Sequence, residues 1–174
     1  MLRYLLPLAL LAGCSATQRS KDNPATPARS HTIPLIISEA GKAHRFDVEV
    51  ARTPEEQARG LMFRKSLAAN AGMVFPMAPP RTASFWMKDT VIPLDMIFVR
   101  TDGTVALVAA NAAPYSRVPI SAGIPVAGVV ELRGGRAAEL GIDENATVRW
   151  GDCKASAGNA AANGQADVNF CPAH

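Results

Sequence analysis

The sequence predicts an α+β domain, mostly β, built on one strongly curved or barrel-like antiparallel sheet with one good helix and one short helix. Three observations carry this expectation. Apolar runs of strand length recur from Thr32 to Trp150, separated by Gly- and Pro-containing turns. Asp102-Gly103 sits between two such runs, a tight-hairpin signal because both residues tolerate positive φ. Thr53-Pro54-Glu55-Glu56 is a capping box with Pro at the first helical position, the clearest helix start in the chain.

The elements follow in order. Thr32 to Ile37 reads as a first strand, placed at an edge because Pro34 has no donor for a ladder. After a turn at Gly41, Phe46 to Val50 alternates apolar and polar, as a half-exposed strand does. In the helix that follows, Ala58, Leu61 and Met62 recur at a spacing that lays one stripe on the core. Gly72-Met73-Val74-Phe75 returns to strand. The stretch Phe85 to Val99 is read as two extended segments broken near Pro93. The second, Leu94 to Val99, is apolar on both faces and interrupted only by Asp95. Thr104 to Ala110 is the return strand of the hairpin, and Ala113 to Gly128, with three Pro, is a long loop. Gly128 to Leu132 is a buried strand carrying one carboxylate, Glu131. Arg136 to Leu140 is a short helix closed by Gly141, and Thr147 to Trp150 ends the domain as a strand.

The flanks set the expected location. Residues 1–13 have one basic residue, Arg3, and an apolar run too short to span about 30 Å of hydrocarbon. That is a signal-peptide layout. Leu11-Ala12-Gly13-Cys14 resembles a bacterial lipobox, so Cys14 is expected to be acylated and to anchor the protein in the lipid bilayer. Ser15 after the Cys resembles the pattern of lipoproteins sorted to the outer membrane, with the domain facing the periplasm. Residues 14–31 hold no large apolar side chain and read as a flexible tether. Residues 32–150 form a single globular domain, and 151–174 are an Ala-, Asn- and Gly-rich, loosely ordered tail. With Cys14 acylated, Cys153 and Cys171 are the remaining thiols, and an even pair in an exported protein favours a disulfide. The domain has 13 basic and 12 acidic residues and no basic stripe, which argues against a nucleic-acid partner.

Three constellations bear on chemistry. Asp95, Glu131 and Lys88 could form an acid–base set in a cleft, or a buried ionic cluster that fixes the fold. Lys88 and Thr90 are the expected partners of Asp95. No Gly-x-Ser-x-Gly is present, while His31 falls in the tether and His174 at the terminus, so no nucleophile supports an enzyme. Met62, Met73, Met77, Met87 and Met96 are dense, and thioethers select Cu(I). They occupy apolar positions without the close repeats of a metal tract, so neither metal nor cofactor is expected. Strand alternation puts Trp86, Lys88 and Thr90 on one face, an aromatic plate beside polar groups that suits a small ligand, a sugar or a peptide strand. The expected ligand-binding residues are Trp86, Lys88, Asp89, Asp95 and Glu131.

Gly60-Leu61-Met62, Gly72-Met73-Val74-Phe75, Phe85-Trp86-Met87-Lys88-Asp89-Thr90, Pro93-Leu94-Asp95-Met96-Ile97-Phe98 and Val130-Glu131-Leu132 together resemble domain-of-unknown-function family 192 over about Ile33 to Trp150. Glu144-Asn145-Ala146 stands where that family typically has a Gly-Asp pair. The resemblance implies a small, mostly β, often exported fold, and brings no activity, cofactor or catalytic residue with it. The expectation is therefore a lipid-anchored extracytoplasmic binding or accessory module for a small molecule, glycan or envelope protein. The alternative is an enzyme using buried carboxylates.

Overall fold

The structure, a computed structural model, describes residues 32–153 and 169–172. The expected signal peptide, Cys14, the tether and most of the tail lie outside these residues.

Seven strands and two short helices follow one another as β1 (Thr32–Glu39), β2 (Lys42–Val50), α1 (Pro54–Arg59), β3 (Ala71–Thr82), β4 (Leu94–Val99), β5 (Val105–Ala112), β6 (Pro125–Arg133), α2 (Arg136–Leu140) and β7 (Thr147–Trp150). They form one sheet in the order β5-β4-β6-β3-β2-β1-β7. It is curved but open, and its two ends touch at a single bridge, Thr104 to Thr147. The sheet is mixed rather than antiparallel, because β2 and β3 pair in parallel. The reason is the α1 segment between them, which carries the chain back to the starting end of β2.

Pro34 does not mark an edge, since β1 pairs with β2 on one side and β7 on the other. The β7 pairing begins only at Leu35, so the missing Pro34 donor falls just outside that ladder. Gly72 sits where the parallel and antiparallel pairings meet. A Cβ there would lie 2.6 Å from the Glu131 carbonyl oxygen, so only glycine lets the three strands approach this closely.

Both faces of the sheet are buried, and alternation divides the apolar residues between two cores. Leu35, Phe46, Val48, Val74, Ile97, Val130 and Trp150 pack on one side, the inner core. Met73, Phe75, Met96, Phe98 and Val129 pack on the other, where loops take the place of helices as cover. The hairpin at Asp102-Gly103 forms, but only Gly103 takes a positive φ, 87°. Asp102 instead accepts from the Thr104 N–H at 2.9 Å and hydroxyl at 2.7 Å, bonds that hold its carboxyl below the usual range.

The capping box of α1 is present, with Thr53 accepting from the Glu56 N–H and Glu56 accepting from the Thr53 N–H. The helix is only six residues and buries none of them. Ala58 is exposed, and Leu61 is buried from the turn that follows, so the expected helical stripe does not exist. Gln57 Nε2 anchors the helix instead by donating to the carbonyls of Ala51 and Pro76.

The tail is not wholly loose. Cys153 and Cys171 form the expected disulfide. Phe170 pairs with Trp150 as an isolated antiparallel bridge and stacks on its ring, centroids 4.3 Å apart.

Candidate functional site

Three loops roof the outer core: 60–70 after α1, 83–93 between β3 and β4, and 113–124 between β5 and β6. Their inward side chains are apolar. Leu61, Ala83 and Met87 are buried there, with Phe85, Ile92, Ile120 and Ala122 packed against them. Phe85 meets Phe75 edge to face at 4.9 Å and Phe98 at 6.0 Å, contacts that fix the middle loop on the sheet.

Backbone bonds stitch the loops to one another. Phe85 and Ile120 exchange both N–H···O bonds, Met87 N–H donates to Ser116 at 2.8 Å, Tyr115 N–H to Thr90 at 3.1 Å, and Phe63 N–H to Asp89 at 2.8 Å. These bonds replace the strand expected at Phe85–Thr90. Phe85 makes one bridge, the chain then turns, and Asp89 adopts φ 53°. Trp86, Lys88 and Thr90 therefore share no strand face. Thr90 is buried and donates to the Lys88 carbonyl, while Trp86 is 49% exposed.

The outer rim of this roof carries Phe63 (63% exposed), Trp86, Tyr115 (62%) and Val118 (70%). Phe63 and Tyr115 hold φ near +63° and +61°. Bulky residues there are genuine outliers, each costing about 1–3 kcal/mol that the surrounding bonds must offset. Lys88 Nζ lies 5.6 Å from the centre of the Trp86 ring, within cation–π range. A cleft of about 240 Å³ beside it is lined by Ser84, Phe85, Trp86 and Pro119. Sequence reasoning named Trp86, Lys88 and Asp89 but missed Phe63 and Tyr115. Tyr115 carried a signal, an aromatic residue standing alone in a predicted loop, whereas Phe63 follows Leu61 and Met62 and carried none.

The two buried carboxylates lie elsewhere and apart. Asp95 faces the inner core, and neither Lys88 nor Thr90 is its partner. Its Oδ1 accepts from the backbone N–H of Asn111 at 2.8 Å and Gly135 at 3.0 Å, and its Oδ2 from Ala137 at 2.7 Å. Gly135 has no side chain to cap α2, so Asp95 does this from β4 and satisfies donors at the helix start. Asp95 is thereby a structural clamp.

Glu131 faces the outer core. It stands opposite Met96 on β4, whereas Asp95 stands opposite Leu132, so adjacent positions send the two carboxylates to opposite sides. Glu131 Oε2 is buried with no hydrogen-bond partner among the described residues, and burial raises its carboxyl to about 8. The expected set of Asp95, Glu131 and Lys88 is therefore not assembled.

A mixed, curved seven-stranded sheet with one face roofed by stitched loops defines a small, mostly β domain of a distinct type. The chain belongs to family DUF192, described as "Uncharacterized ACR", whose profile matches residues 35–150. It is similar to a solved protein of unknown function from Novosphingobium aromaticivorans DSM 12444, with 43% identity and a TM-score of 0.68 over 78% of this chain and 100% of that one. It is also similar to a Sinorhizobium meliloti 1021 protein named a "putative transcription regulator", with 35% identity and a TM-score of 0.66 over 68% and 93% of the two chains. No curated protein matches.

Proposed function

We propose that this protein is a lipid-anchored extracytoplasmic binding module that takes its ligand on the aromatic rim of the roof. The observation that carries the reading is the strain at that rim. Phe63, Asp89 and Tyr115 come from three different loops, all hold positive φ, and are tied through Phe63 to Asp89 and through Tyr115 to Thr90, next to Asp89. Strain of this kind collects at ligand clamps, and two of the three residues present exposed rings.

Lys65, Lys88 and Arg117 lie in the same loops against one acid, Asp89, which favours a ligand bearing anionic or hydroxyl groups. A small molecule, a glycan or an envelope protein segment fits this chemistry. The balanced charge of the domain gives no support to nucleic acid, whatever the Sinorhizobium protein binds. The enzyme alternative has weaker support, because its carboxylates face opposite sides of the sheet and Asp95 is fully engaged with backbone donors.

Location at the envelope rests on the lipobox Leu11-Ala12-Gly13-Cys14, on Ser15 for the outer membrane, and on a disulfide that suits an oxidising compartment. Among the described residues no helix is long and apolar enough to cross a membrane.

The test is a thermal-shift screen against glycans, acidic metabolites and envelope extracts, followed by Trp fluorescence. Ligand at a hundred times its Kd stabilises by about 2.7 kcal/mol. Trp86→Ala and Tyr115→Ala should abolish the shift while leaving the unliganded melt nearly unchanged. A hit whose shift persists in both variants would move the site away from the rim.

A further inference from the structure

Beneath the roof, Glu131 occupies the middle of three adjacent strands. It is in register with Met73 on β3 and with Met96 on β4, and both pairings are antiparallel. Directly opposed residues place their Cβ atoms about 4.5–5.5 Å apart on one face. The row across the sheet is therefore thioether, carboxyl, thioether. All three side chains are buried, with exposures of 7% for Met73, 5% for Glu131 and 0% for Met96. Met87 is fully buried in the same core.

We propose that Met73, Glu131 and Met96 form a binding site for copper(I). Among the described residues nothing donates to the buried Glu131 Oε2, which leaves the loss of its hydration without a hydrogen bond in return. A Cβ at Gly60 would stand 3.8 Å from Oε2 and 3.2 Å from Phe75 Cζ, so backbone and a ring already close that side.

Charge and softness then select the ion. Cu(I) would displace the Glu131 proton to solvent, and the resulting carboxylate and monovalent cation make a neutral unit, which an apolar interior tolerates, whereas a divalent ion would leave a buried net charge. Thioethers favour Cu(I). Among the described residues no three His, Cys, Asp or Glu side chains are grouped to hold a harder metal. The wide sequence separation of Met73, Met96 and Glu131 hid the set, because only strand register brings them together. This site does not depend on the rim as a ligand surface.

The experiment uses the full chain carrying Cys14→Ser, so that no free thiol competes, with Cu(I) kept reduced by ascorbate and presented on bicinchoninate. The protein should withdraw a single Cu(I) per chain. Met73→Leu, Met96→Leu and Glu131→Gln should each weaken binding by at least about tenfold, a loss that even outer-shell groups of metal sites can cause. X-ray absorption of the copper-loaded parent should show sulfur and oxygen neighbours, a readout that does not depend on the folding of any variant. Failure to withdraw Cu(I), equal affinity in all three variants, or a copper spectrum without sulfur would overturn the proposal.

Discussion

At the scale of single residues, the two buried carboxylates predict opposite responses to mutation. Glu131 keeps its proton in the native state up to about pH 8, against an ordinary value of 4.5 that the unfolded chain regains. The native state therefore binds more protons between these values, and stability falls as pH rises from about 4.5 to about 8. The contribution is complete below that window and gone above it. Urea unfolding of metal-free protein should show this decline, amounting to several kcal/mol, and Glu131→Gln should flatten it and be the more stable form at alkaline pH. A wild-type profile that is flat or rising across the window would disprove the neutral buried state. Asp95→Ala should instead be destabilising, by about 3–5 kcal/mol, because three buried backbone donors lose their acceptor. Thermal melts should fall by about 15 °C or more. The sequence exposed both carboxylates as interruptions in apolar runs. It could not reveal the partners of Asp95, which are backbone groups 16, 40 and 42 residues away and carry no side-chain signature.

At the scale of elements, legibility followed local chemistry. The short helix Arg136–Leu140, its closure at Gly141 and the strand Thr147–Trp150 appear as the residues predict, because a C-terminal glycine and alternation act within a few positions. Phe85–Thr90 did not, since its apolar side chains anchor a roof loop through Phe85 and Met87 rather than line a ladder. The parallel pairing of β2 with β3 was also hidden, being a choice of topology rather than of local preference. Its tight junction makes a sharp prediction. Gly72→Ala puts a methyl 2.6 Å from a backbone oxygen and 2.8 Å from Leu132 Cδ2, so a strand must shift. A loss of about 2 kcal/mol or more in chemical unfolding is expected. The disulfide should matter less. Cys153→Ser/Cys171→Ser frees a short segment whose Phe170 stacks on Trp150, and the melt should drop by only a few degrees, about 1 kcal/mol. Trp150 fluorescence should shift red as its stacked partner leaves. An unchanged Trp150 signal would mean that the Phe170 contact outlives the covalent link.

At the scale of the whole molecule, a rigid curved sheet carries a strained loop roof, and the proposed anchor would hold this unit at a bilayer. Cys14→Ser should abolish acylation by mass spectrometry and release the protein from membranes; a mature, membrane-bound mutant would disprove the lipobox reading. The outer side of β7 is already occupied. Trp150 N–H donates to Phe170, and Val148 N–H donates to Gly103, so the strand's outward donors are taken by two short segments arriving from either direction. An uncovered strand of this kind is a template on which a second molecule can lay its own backbone. Residues 169–172 thus cover the Trp150 end of that edge. A chain cut after Asp152 should keep its fold yet scatter increasing light as it stands at high concentration, and a short peptide spanning Asn169 to Pro172 added in excess should slow that growth.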